Sequence, residues 1–278
     1  MSSACERKLK AKETSFERYL VRQNLSLSTV RLYQFTVDQF YHIYPRLNSS
    51  SLLGYKAYLM DHYKPQTVNL RLRALNSYLT YRQSALPRLS MVKIQQKTYL
   101  DRIISQTDYE YLKRRLKEDD EYTYYYLIWL MTATGVRVSE AVSFRIEDIA
   151  SGHKDIYSKG NKMRRIYIPT ALKSEILQWT SLEKRVSGPL FLNRYGAPLG
   201  ITGIRARLKS FAGRYQLDPQ VMYPHSFRHR FAKNFIEAYG DVAILSDLLG
   251  HESIETTRIY LRRSAAEQRR IVNQVIDW

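Results

Sequence analysis

The chain has 278 residues, 44% of them hydrophobic and 25% charged, which is enough apolar material for a real core and excludes disorder over most of its length. At ~100–200 residues per domain, that length suggests one large domain or two ordinary ones. The 44 basic and 26 acidic residues leave a formal charge of +18, a self-repulsion that a polyanion would offset, with nucleic acid ahead of an anionic membrane surface. No apolar run approaches the ~20 residues that span a bilayer, and the opening MSSACERKLKAKE lacks the apolar centre of a secretory signal. No membrane partner is therefore expected. Cys5 is the single cysteine, which excludes an internal disulfide and any multi-cysteine zinc site and fits a reducing, cytoplasmic compartment.

In chain order, Phe16, Tyr19 and Leu20 recur at helical spacing after Ser15. Ser28 is expected to open a second helix carrying Val30, Tyr33, Val37, Phe40 and Tyr44, which Pro45 ends. Ser51 is expected to start a third, with Leu52, Tyr55 and Leu59 on one side. Pro65 suits the first turn of a fourth, whose stripe is Val68, Leu72, Leu75 and Leu79. Their polar faces carry Arg22, Arg31, Lys56, Lys64, Arg71, Arg73 and Arg82, read together as a phosphate-contacting surface. From Ser84 to about Leu100 the periodicity fails, as expected of a linker.

A second domain is expected near Ile104, with Thr107 and Glu110 as a capping box before Leu112 and Leu116. The apolar YTYYYLIWLMTAT follows, and Gly135 is placed to end it. Asp155–Tyr157 and Arg165–Ile168 flank a Gly-Asn turn and predict the one hairpin. Helical patterns resume over 171–179, 203–214, 226–239, 242–249 and 256–261, with a last one over 265–276. The expected fold class is mainly α with a small β-sheet. Its parts are a helical domain over 1–90, a linker over 91–103, and an α+β domain over 104–278.

Basic residues in an apolar frame recur in TGVRVSE (134–140), SKGNK (158–162), PHSFRH (224–229) and LLGH (248–251), with Tyr260 nine residues beyond His251. Each has an ordinary structural reading: Arg137 as a solvated residue, Lys159 and Lys162 as turn lysines, His225 and His251 as helix caps, Tyr260 as one of 23 tyrosines that mostly pack. His225 and His229 lie one turn apart and with His251 offer a loose metal set, but the surrounding cations disfavour a divalent ion. No phosphate-cradling Gly-x-x-x-x-Gly-Lys loop and no Gly-x-Ser-x-Gly elbow is present.

In this order and spacing, these motifs resemble the tyrosine recombinase (phage integrase) family, in particular its simple, Xer-like members. The resemblance spans nearly all of the second domain, and the preceding four-helix bundle resembles that family's core-binding domain. It implies that Arg137 and Arg228 hold a scissile phosphate, with His225 and His251 completing its shell. Lys159 would protonate the departing 5′-oxygen, with Lys162 as its rival in the same turn. Tyr260 would be the nucleophile, and Glu140 would support the site from behind. It also implies double-stranded DNA as substrate, no metal and no cofactor, and a homotetramer on two DNA sites. The expected length leaves no room for a separate arm-binding domain.

The physics fits those roles. Two guanidiniums can meet the charge on phosphoryl oxygens bidentately, and a phenol of pKa ~10 attacks at neutral pH only with cations and a base beside it. A type IB topoisomerase and a non-catalytic DNA-binding regulator are the alternatives. After the nucleophile, Ile271, Val272, Val275, Ile276 and Trp278 make a narrow apolar stripe, expected to dock on a neighbouring subunit or back on its own domain.

Overall fold

The apolar spacing of the first third becomes helix. The computed structural model describes residues 16–94, 103–157, 163–251, 253–261 and 273. Residues 16–22 are helical (α1), followed by α2 (Leu27–Ile43), α3 (Ser49–His62) and α4 (Pro65–Tyr81). Phe40, Leu52, Tyr55, Leu59, Leu72, Leu75 and Leu79 are buried in their shared core, each from the stripe that the sequence shows.

The starts differ from expectation by a few residues. Ser26, not Ser28, caps α2, accepting the Thr29 N–H, and Asn48, not Ser51, caps α3. Ser51 instead completes that cap, its hydroxyl accepting the Asn48 N–H at 3.0 Å. Pro65 does occupy the first turn of α4. Arg71 departs from the phosphate-contacting set. It is buried, its guanidinium lies 4.2 Å from the Tyr63 ring centroid, and it donates to Gln39, because its place on α4 faces α2 rather than solvent. After α4 the chain is irregular yet strapped down. Asn76 and Asn69 each make two backbone bonds, to Leu89 and Val92, all at 2.8–2.9 Å.

The chain divides into two compact units, Met1–Gln96 and Lys97–Trp278. The second begins with α5 (Gln106–Glu118), capped by Ser105 rather than by the expected Thr107 box. Then comes α6 (Tyr122–Thr134), apolar on all sides and packed among α5, α9 (Thr170–Leu182) and α11 (Pro224–Tyr239). Gly135 ends α6 in the left-handed region (φ 65°), as expected. Two short helices that the sequence pattern does not reveal, α7 (Val138–Ala141) and α8 (Ile146–Ser151), lead into an antiparallel pair, β1 (His153–Tyr157) and β2 (Met163–Tyr167). The expected second strand starts two residues late and ends one residue late; beyond the Tyr167 pair, the Ile168 N–H still bonds the Gly152 carbonyl at 2.9 Å, in register with the hairpin. The unit continues with α10 (Ile201–Arg214), α12 (Val242–Leu249), α13 (Glu255–Arg258) and a 3₁₀ turn, Ile259–Leu261. The described residues are thus mainly helical with one small sheet. Ser15, Cys5, Lys159, Lys162 and the apolar stripe of the tail lie outside them. No helix among the described residues is long and apolar enough to cross a membrane.

Candidate active site

Two helix ends build the centre of the site. At the end of α6, Gly135 turns the chain so that Arg137 stands at the start of α7, its N–H held by the Glu140 carboxylate at 2.7 Å. Glu140 also accepts from the Arg137 guanidinium at 2.9 Å and from Arg164 on β2 at 2.6 Å. One carboxylate, only 12% exposed, therefore fixes two arginines from different segments.

At the end of α12, Gly250 is left-handed (φ 61°), and the N–H groups of Gly250 and His251 bond back to Asp247 and Ser246. This is the double bond of a Schellman cap. It consumes those two carbonyls and leaves the Leu249 and Gly250 carbonyls for other donors. Leu249 accepts from both Arg228 (2.7 Å) and Arg164, and Gly250 accepts from Arg137 (3.2 Å). Arg228 also donates to the Gly135 carbonyl at 2.6 Å, so its guanidinium is seated between the C-terminal ends of α6 and α12. Three arginines converge on two successive carbonyls.

The histidines divide into separate circuits. Nε2 of His251 lies 3.1 Å from the Arg228 guanidinium, a donor without lone pairs, so Nε2 accepts and Nδ1 carries the proton toward Thr257 Oγ1 at 2.7 Å. His229, one residue beyond Arg228 on α11, places Nδ1 2.7 Å from the Tyr260 hydroxyl. His225, on the first turn of α11, is exposed, its ring 6.3 Å from that of His229. Tyr260 sits in the 3₁₀ turn, buried against Ala232, Leu245 and Leu249.

The electrostatics follow from burial among cations. Burial holds His229 and His251 in their neutral form, each down to about 4, with His225 and Arg228 adding to the first and Arg228, Arg137 and Arg164 to the second. His225 is also lowered, by partial desolvation of its ring first and by Arg228 next, although the residue as a whole is exposed. Arg228 falls to about 10, from burial and the nearby Arg137 and Arg164, and stays charged at neutral pH. Burial raises Tyr260 to about 12, with Arg228 pulling the other way. At pH 7 the cluster of Arg137, Arg164, Arg228 and Glu140 is therefore cationic, beside a protonated phenol and neutral imidazoles. Chemically this is an oxyanion receptor next to a buried hydroxyl.

Of the residues picked out by sequence, the structure gathers Arg137, Glu140, His225, Arg228, His251 and Tyr260 from α7, α11, the end of α12 and the last turn. Lys159 and its rival Lys162 lie outside the described residues. Sequence reasoning missed Arg164, although strand alternation carries a signal: it faces inward with Ile166, while Met163, Arg165 and Tyr167 face out. It weighed His229 only as a metal ligand. Among the described residues no group of three or more His, Cys, Asp or Glu is placed to hold a metal ion.

Residues 96–267 match the model of the phage integrase family. A tyrosine recombinase XerD of Staphylococcus haemolyticus (strain JCSC1435) is 33% identical over 158 residues, covering 53% of this chain and 52% of that protein. The chain thus spans about half the length of the XerD relatives it matches. A tyrosine recombinase of Agathobacter rectalis (strain ATCC 33656) is 26% identical over 291 residues and 92% of each chain. Among solved structures, the XerH site-specific recombinase in a post-cleavage complex with a palindromic difH substrate superposes with a TM-score of 0.71 at 18% identity, over 92% of this chain and 81% of that one. That likeness shows a shared fold.

Proposed function

The chain belongs to the phage integrase family, and from that premise we propose that it is a site-specific DNA recombinase that cuts and rejoins strands through a 3′-phosphotyrosyl link and a Holliday junction. The observation that carries this reading is the convergence of Arg137, Arg164 and Arg228 on the Leu249 and Gly250 carbonyls, with Arg228 on the same helix that places His229 against Tyr260. A scissile phosphodiester brings an anionic group to guanidiniums that lack a carboxylate partner of their own, apart from the shared Glu140. Arg137 and Arg228 take its non-bridging oxygens, and His225 and His251 complete the shell. Tyr260 attacks the phosphorus, forming the Oη–P bond as the bond to the 5′-oxygen breaks. Lys159 protonates that oxygen, and a 5′-hydroxyl of a partner strand later reverses the step. The phosphotyrosyl link conserves the energy of the broken bond, so rejoining needs no nucleotide.

In this reading residues 1–90 bind the duplex, 91–103 link, and 104–278 carry the chemistry. The working unit is a homotetramer on two DNA sites in the cytoplasm, serving integration or excision of a mobile element, or resolution of joined molecules. The apolar stripe after Tyr260 docks on a neighbouring subunit.

The test is a suicide duplex, nicked beside the cleavage position, whose sequence is selected from a randomised library by retention on the full chain. A covalent protein–DNA adduct is expected, followed by strand exchange. Retention without any adduct would favour a DNA-binding regulator, and plasmid relaxation without exchange would favour a topoisomerase. Replacing the 5′-bridging oxygen with sulfur removes the need for an acid and should rescue Lys159→Ala but not the arginine variants. Rescue of Lys162→Ala alone would reassign the acid.

A further inference from the structure

Tyr260 is buried and sits near pKa 12, so its phenolate is only about one molecule in 10⁵ at pH 7. Attack through that fraction alone would be slow, and the phenolic proton needs an acceptor as the new bond forms. Position narrows the choice. His251 is committed on both nitrogens, Nε2 to Arg228 at 3.1 Å and Nδ1 to Thr257 at 2.7 Å. Glu140 is occupied by Arg137 and Arg164. Nδ1 of His229 lies in hydrogen-bond contact with the Tyr260 hydroxyl, at 2.7 Å, with ring centroids 5.6 Å apart.

We propose that His229 is the general base for Tyr260, an assignment that rests on the recombinase reading above. In the cleavage step the Tyr260 proton passes to Nδ1 of His229 while the Oη–P bond forms. The P–O5′ bond breaks and the departing oxygen takes a proton from the general acid, for which Lys159 is the candidate. In rejoining, the attacking 5′-hydroxyl gives up its proton to that acid site, and the imidazolium returns its proton to the leaving phenolate. Charge and protons balance over the cycle, and no further reactant is needed.

The surroundings suit this role. His229 is neutral before DNA arrives, because burial and the adjacent His225 and Arg228 oppose an imidazolium. The neutral ring therefore has a free lone pair on one nitrogen. A bound phosphodiester adds negative charge beside Arg228 and removes part of that opposition, so base strength develops when substrate is present. Before binding, both partners are neutral and the nucleophile stays protonated.

The discriminating variant is His229→Asn, whose side-chain amide falls near the position of Nδ1. It can keep a hydrogen bond to Oη yet cannot take a proton. His229→Gln, with a longer arm, is its companion. Each full-length protein is first checked for retention of the selected duplex and then followed in a single turnover on the nicked suicide substrate. Retention is expected to be unchanged, with adduct formation slower by about 10²–10⁴-fold. Installing a fluorinated tyrosine at 260, ionised near neutral pH, should restore most of the rate in the variants and change the otherwise wild-type chain much less. Cleavage by both variants at the wild-type rate would overturn the assignment. So would a deficit that fluorination leaves untouched, since that is the behaviour of a residue that only packs. If the chain with His229 intact forms no adduct at all, the recombinase reading itself has failed, a result distinct from either.

Discussion

Glu140→Ala tests whether the arginine cluster is held together by one carboxylate. Glu140 accepts three N–H groups, at 2.6, 2.7 and 2.9 Å, from Arg164, the Arg137 backbone and the Arg137 guanidinium. The Arg137 ion pair involves a side chain that is 38% exposed and contributes little, at most ~1 kcal/mol. The Arg164 pair is different. Both side chains are nearly enclosed, at 9% and 12% exposed, and removing one partner from such a pair costs ~3–5 kcal/mol because the other charge stays buried. The Leu249 carbonyl still holds Arg164 and softens that loss, so about 3 kcal/mol is expected. For a unit of this size that is a fall of roughly 6–12 °C in the unfolding midpoint. Calorimetry of the full chain would measure it, with Asp155→Ala as control. Asp155 meets Arg165 at 2.7 and 2.8 Å with equally good geometry, but those side chains are 27% and 43% exposed, solvent screens the pair, and a much smaller loss is expected. If the two variants lose the same stability, burial is not what makes Glu140 important.

Tyr260→Phe should abolish the covalent adduct while leaving duplex retention intact and stability lower by about 1 kcal/mol, since only one hydrogen bond to His229 is lost. Unfolding followed by circular dichroism should show stability falling as pH drops from about 6.5 toward 4. His229 and His251 sit near 4 when folded, so the unfolded chain, near ~6.5, binds more protons across that window. A His229→Asn/His251→Gln chain should flatten that slope, and an unchanged slope would place the titrating groups elsewhere. Asn69→Ala removes both bonds that strap Val92 to α4 and should cost about 2 kcal/mol, with faster amide exchange at Val92.

The parts of this molecule that were legible in sequence are those set by local spacing. Gly135 ends α6 because glycine, lacking a Cβ, takes the left-handed cap conformation at no steric cost, and the histidine and arginine of PHSFRH fall on one helix at 225 and 228. Cap positions were less legible. Ser26 and Ser28 are equally good candidates by type, and the choice between them depends on which oxygen reaches the Thr29 N–H. Arg71 looked solvated because charge dominates the reading of an arginine. Its burial rests on Tyr63 and Gln39, which lie 8 and 32 positions away. Arg164 and His229 were missed for the same reason. Their partners, Leu249 and Tyr260, are 85 and 31 positions distant, and no short-range pattern encodes such pairings.

The seating of Arg228 between two helix ends has a genetic consequence. Its backbone partners, the Gly135 and Leu249 carbonyls, belong to the main chain, so no exchange of a partner side chain can delete them. A helix terminus carries about half a negative charge and has no proton to gain, so acidity cannot cancel it as it would a carboxylate. The vulnerability moves to the two glycines that aim those carbonyls. A methyl group on Gly250 would lie 2.7 Å from the Arg164 guanidinium, and one on Gly135 would collide with the Phe231 ring, both at backbone angles that side chains resist. In a saturation screen for strand exchange, positions 135 and 250 should therefore be about as intolerant as the arginines themselves, although neither glycine has a side chain to offer the phosphate.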